Sequence, residues 1–136
     1  MDLDEARQFL RQHHRAVMIT TRSDGRPQAS PVTVAVDDQG RAVVSTRETA
    51  RKAAHLRRTP RAALCVFTDR FFGPWVQVEG PVDIRPLPDA MEPLVAYYRA
   101  VAGEHPDWND YRAAMERERR VLVRMRIERA GPDRQG

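Results

Sequence analysis

A chain of 136 residues, 41% apolar and 31% charged, can bury one core and is too short for two ordinary domains. Its net charge of +4 is spread as 23 basic residues among 19 acidic ones, so no basic stripe forms and no nucleic-acid partner is expected. No run of 18 apolar residues is present, so no membrane span is expected; the acidic start Met1-Asp2-Leu3-Asp4-Glu5 and the lone Cys65 predict a reducing cytoplasm.

In chain order, Leu3, Ala6, Phe9 and Leu10 recur at helical spacing and predict a short helix from Leu3 to His14. Ala16 to Thr21 is β-rich and runs into the turn cluster Ser23-Asp24-Gly25-Arg26-Pro27. Val32, Val34 and Val36 alternate, predicting one strand from Ser30 to Val36, and Asp38-Gln39-Gly40 turns it into a third, Ala42 to Thr46. Tight turns make this part of the sheet antiparallel. Thr49 to Arg58 has helical composition and stops ahead of Thr59-Pro60. Ala62 to Thr68 is a fourth strand, and Phe71 and Phe72 sit in the loop that follows it. Trp75 to Glu79 and Val82 to Arg85 read as two strands broken at Gly80-Pro81. Helices are expected over Pro88 to Ala102 and Pro106 to Arg117, then a last strand from Val121 to Ile127 with one wet face. Residues 1–129 form the domain, and residues 130–136 read as a loose tail. Six or seven short antiparallel strands with helices between them predict a mainly β, α+β fold closed or partly closed as a barrel, because closure removes exposed edges.

Of the 23 basic residues, Lys52 is the single lysine. It lies in Ser45-Thr46-Arg47-Glu48-Thr49-Ala50-Arg51-Lys52-Ala53, where a strand ends in hydroxyls and two adjacent cations open a helix. Hydroxyls, free backbone N–H groups and cations together suit a phosphate, although the same residues also describe a solvated basic helix face. No glycine-rich Walker loop or GxGxxG fingerprint occurs, so a P-loop nucleotide site or a Rossmann dinucleotide site is not expected. His13, His14, His55 and His105 have no metal-ligand spacing, and Cys65 stands alone, so no metal site is expected. His13 and His14 are read as a helix end, His55 as a structural residue that could reach an anionic tail, and His105 as part of a turn. Tyr97, Tyr98, Trp108 and Tyr111 are spaced as packing residues.

The segment Thr46 to Ala53 resembles the phosphate-binding motif of the pyridoxamine 5′-phosphate oxidase-like split β-barrel flavoproteins. Four further stretches, Asp24-Gly25-Arg26-Pro27-Gln28-x-Ser30, Leu56-Arg57-Arg58-x-Pro60-Arg61-Ala62, Val78-Glu79-Gly80 and Tyr98 to Trp108, resemble the actinobacterial deazaflavin-dependent oxidoreductases of that superfamily. The resemblance implies a six- to seven-stranded antiparallel split β-barrel with short flanking helices. It further implies a homodimer with cofactor sites at the subunit interface, and coenzyme F420, or alternatively FMN, as the cofactor. By position, Ser30, Pro31 and Val32 would line the ring system. Ser45, Thr46, Arg51 and Lys52 would hold the phosphate with Arg57 nearby, and Trp75 and Gln77 would approach the ring from the partner subunit. Phe71 and Phe72 would cap the pocket or form a dimer contact. Pro31 stands where relatives often carry Asn, and Ala50 and Ala53 where they often carry Arg or a hydroxyl. The arginine–histidine substrate signature of true pyridoxamine phosphate oxidases is absent, so vitamin B6 oxidation is not expected. The implied activity is hydride transfer to a small electron-poor acceptor such as an enone or quinone, with no obligatory catalytic side chain; a non-enzymatic cofactor carrier is the alternative from another class.

Overall fold

A computed structural model describes residues 1–135, with the side chains of residues 1–133. The first helix, α1 (Leu3–Gln12), begins at Asp2, whose carboxylate accepts from the Glu5 N–H while Glu5 reaches back to the Asp2 N–H. Ala6 and Leu10 form its buried stripe. His13 is its C-cap and His14 lies beyond it, with Nδ1 2.8 Å from the Val34 carbonyl.

Eight strands follow in one antiparallel sheet: β1 (Arg15–Thr21), β2 (Pro27–Thr33), β3 (Ala35–Val36), β4 (Ala42–Arg47), β5 (Arg61–Phe67), β6 (Pro74–Arg85), β7 (Arg120–Met125) and β8 (Arg129–Gln135). The order is β2-β1-β5-β6-β7-β4-β3, with β8 also paired to β6. The path has two ends, β2 and β3, and the sheet curls until β2 lies beside β4 without a ladder between them. The molecule is therefore a split β-barrel. Inward residues alternate along each strand, Ala16, Met18 and Thr20 on β1 against Ala62, Leu64 and Val66 on β5 and Val76 and Val78 on β6. Helix α2 (Arg51–Arg58) adds Leu56 to the same core. A second core lies on the outer face of β3, β4 and β7, where α3 (Met91–Ala102) and α4 (Trp108–Arg117) pack Leu94, Val95, Tyr111 and Met115 against Ala35, Val43 and Leu122.

Three expectations about elements need correction. The strand read as Ser30 to Val36 breaks at Val34, where the chain passes from one half of the barrel to the other. The two strands read around Gly80-Pro81 are one strand of 12 residues. Pro81 is accommodated because β6 changes partners there: its first half pairs β5 and β8, its second half β7. A Cβ on Gly80 would overlap the Arg126 carbonyl oxygen, so only glycine allows the chain following β7 to come this close. Finally, the expected loose tail runs as β8 through Gln135, because the open side of β6 gives its backbone groups partners.

Candidate functional site

The split between β2 and β4 opens into a cleft of about 560 Å³ roofed by α3 and α4. Its β2 side is an unpaired strand edge. The hydrogen bonds Arg22 N–H to Arg26 O and Val34 N–H to His14 O fix which positions of this strand face β1. Strand alternation then turns the backbone groups of residues 28, 30 and 32 to β1 and those of 27, 29, 31 and 33 to the open edge. Two of these four outward positions are proline, which has no N–H to leave unsatisfied, the setting in which a strand tolerates proline. The Thr33 carbonyl on the same edge accepts a hydrogen bond from Tyr97 Oη at 2.8 Å, which ties α3 across the cleft. Burial pushes the Tyr97 hydroxyl above its ordinary pKa, so it stays a donor.

The β4 side supplies Ser45 and Thr46, the latter 5% exposed, and the first turn of α2 supplies Lys52. Ala50, the N-cap of α2, gives no side-chain cap, so the N–H groups that open the helix remain available beside Lys52. Glu118 and Arg120 complete this end, the Arg120 guanidinium donating to Glu118 Oε1 at 2.8 and 3.0 Å and holding the carboxyl below its usual range. Half-buried cation, buried hydroxyl and free helix N–H groups are a fitting donor set for a phosphate. Ala53, where relatives often carry Arg or a hydroxyl, is completely buried.

Of the ten residues singled out in the sequence, Pro31, Val32, Ser45, Thr46 and Lys52 line this cleft. Ser30 does not; its register partner is Met18 and it shares that residue's interior face. Arg51 is exposed and outside the cleft lining, one residue of helical rotation from Lys52. Arg57 donates to the Glu48 carbonyl at 3.3 Å and lines a separate depression with Leu56 and Pro60. Trp75 and Gln77 stand on the outer barrel face, in the rows Thr33–Arg15–Phe67–Trp75 and Pro31–Val17–Cys65–Gln77. Three strand spacings, about 14 Å, separate them from the β2 edge of their own chain. His55 turns inward, its Nδ1 3.0 Å from the Oγ1 of buried Thr20, and does not reach toward the cleft.

The opposite wall has two roles: Tyr97, Tyr98 and Tyr111 pack in the second core, as their spacing predicts, and they also line the cleft. His105, taken as part of a turn, lines it with them. Helical spacing gives the face they share, but only the docking of α3 and α4 against β4 turns part of that face toward β2.

A family model described as pyridoxamine 5′-phosphate oxidase matches residues 3–131. The chain belongs to that family. Solved structures similar to this member include a conserved hypothetical protein from Mycobacterium tuberculosis, 26% identical over 96% of this chain and 82% of that one, with a TM-score of 0.78. An F420 reductase is 21% identical, covers 91% of this chain and 94% of its own, and has a TM-score of 0.71. A heme binding protein from Mycobacterium smegmatis is also 21% identical, over 98% of this chain and 57% of that one, with a TM-score of 0.71. The last two likenesses establish the shared fold. Among the described residues no group of three or more His, Cys, Asp or Glu could hold a metal ion, and no helix is long and apolar enough to cross a membrane.

Proposed function

We propose that this member of the pyridoxamine 5′-phosphate oxidase family is a cytoplasmic homodimeric reductase that binds coenzyme F420 and reduces a small electron-poor acceptor. The observation that carries the reading is the make-up of the cleft: an anion-holding end built from Thr46, Lys52 and the uncapped start of α2, continuous with an aromatic wall. When bound, the deazaflavin supplies hydride chemistry, and the protein supplies position and electrostatics. Lys52 and Thr46 would hold the phosphate, and the open β2 edge would meet the ring through the backbone of residues 29 to 33. The neighbouring F420 reductase fold and the sequence resemblance favour the deazaflavin over FMN, which remains the second reading because both ligands carry a ring system and a phosphate.

The dimer is supported by Trp75 and Gln77, which cannot serve the cleft of their own chain, and by Phe71 and Phe72, 80% and 71% exposed beside them. Titration of the protein with each cofactor, followed by tryptophan fluorescence, tests the choice. F420 is expected to bind, and tight binding of FMN with none of F420 overturns the first reading. In Lys52→Ala the dissociation constant should rise roughly tenfold or more, the loss of one charge-assisted hydrogen bond of about 1.5–3 kcal/mol. An unchanged constant would mean the phosphate lies elsewhere.

A further inference from the structure

The β3–β4 ladder stops one rung short of the cleft. Ala35 pairs with Val43 and Val36 with Ala42, and the Asp37 N–H donates to the Arg41 carbonyl, so the odd-numbered positions of β4 turn their backbone groups toward β3. Val34 gives its N–H to the His14 carbonyl, where the chain crosses to the other half of the barrel. Carried on in the same register, Thr33 would pair with Ser45, and the Ser45 N–H would donate to the Thr33 carbonyl. Instead β2 and β4 lie beside each other without a ladder.

The atom that joins the two edges is Tyr97 Oη. It donates to the Thr33 carbonyl at 2.8 Å. Burial raises the pKa of this hydroxyl, and the largest opposing effect comes from the Ser45 backbone N–H, which bears on the same oxygen. The neighbours Val44 and Thr46 face the other way: they pair with Val123 and Val121 of β7, in the ladder that the Glu48 N–H continues to the Arg119 carbonyl. Ser45 therefore turns its N–H to the split and Thr33 its carbonyl, and a phenol can accept from the one while donating to the other. The ring behind that hydroxyl is a partition. It lines the cleft on one side and, on the other, a cavity of about 370 Å³ between α3 and the β3–β4 hairpin.

We infer that Tyr97 is a positioning residue: its hydroxyl takes the place of the rung between Thr33 and Ser45 and sets the width of the split. A direct rung would draw the strands to the ordinary spacing of about 4.8 Å and close the cleft at that point. The inserted oxygen makes the link two hydrogen bonds long in place of one, so the edges stay apart yet remain tied. A ligand that meets both edges depends on that width, whereas one held only at the β4 end does not. What the width does for a ligand rests on reading the cleft as the cofactor's site, with the F420 ring on β2 and its phosphate at Lys52; the clip itself stands without that reading.

Tyr97→Phe tests it, because the variant keeps the ring and its packing in the second core and removes only the hydroxyl. Amide hydrogen exchange followed by NMR should find Ser45 protected in the wild type and exchanging roughly tenfold faster or more in the variant, with Val44 and Thr46 unmoved. F420 affinity, read by tryptophan fluorescence, should fall roughly threefold to tenfold, the loss of one neutral hydrogen bond. Inorganic phosphate, titrated by the amide shift of Lys52, should bind as it does to the wild type. Ser45 exchange unmoved in Tyr97→Phe overturns the clip. Faster Ser45 exchange with unaltered F420 affinity, or F420 and phosphate weakened alike, overturns its hold on the width. If the wild type binds no F420, the cofactor reading falls, and the Ser45 exchange decides the clip by itself.

Discussion

Neighbouring residues with the same charge have different fates here. Arg51 and Lys52 both open α2, yet a helix turns by 100° per residue, so Lys52 enters the cleft lining while Arg51 stays in solvent. A compact ammonium suits that half-buried position better than a guanidinium, which needs a planar partner to use its fork. Tyr111 shows the converse case, a polar group chosen for its neutral form. It is 6% exposed, donates to the Leu94 carbonyl, and burial pushes its hydroxyl up to about 12 from an ordinary 10.0. Between those values the unfolded chain gives up this proton and the folded chain keeps it. The stability Tyr111 contributes is therefore complete below pH 10 and lost as the pH rises toward 12. Urea midpoints should fall between pH 9 and pH 11, and Tyr111→Phe should reduce that fall; an identical fall in the variant would assign the loss to other groups.

Among the elements, β6 decides how the barrel holds together. It pairs β5 and β8 over its first half and β7 over its second, so one strand joins the two halves of the barrel, and Gly80 sits at the change. Gly80→Ala should cost about 3 kcal/mol or more, since the methyl would meet main-chain atoms of Arg126 that cannot rotate away. A chemical-denaturation midpoint within error of wild type would show that the chain after β7 can shift. The β2 edge makes a parallel point. Pro27 and Pro31 remove two N–H groups from the open side of the split, where a full set would invite another strand. The departure from the family pattern at Pro31 thus has a backbone reason as well as a side-chain consequence.

At the scale of the molecule, no helix among the described residues covers the outer face of β1, β5 and the first half of β6. It carries half-buried Val17, Cys65, Phe67 and Trp75, and the Phe71–Phe72 pair stands at its rim, rings 4.9 Å apart. Burial raises the Cys65 thiol pKa, which keeps it unreactive on that face. This is the exposed apolar surface that the proposed dimer would cover. Under the proposed dimer, Phe71→Ser combined with Phe72→Ser should convert a wild-type dimer into a weaker or monomeric species in sedimentation velocity, with cofactor affinity falling in parallel. A wild type that sediments as a monomer at every concentration would sink the shared-site reading.

Periodicity and turn chemistry by themselves determined most elements, since a helix or strand needs only its own residues to declare a face. The hydroxyl-ended third strand running into Lys52 was legible for the same reason: all its parts lie within eight residues of each other. Only the tertiary structure decided the rest. Gly80-Pro81 looked like a break because nothing local reveals that β6 exchanges partners there. Residues after 129 looked loose because the edge that orders them belongs to a strand some fifty positions earlier. The aromatic wall was hidden for the same physical reason. Tyr98 and His105 become a site only when α3 and α4 dock beside β2, a contact between residues more than sixty positions apart that no local pattern encodes.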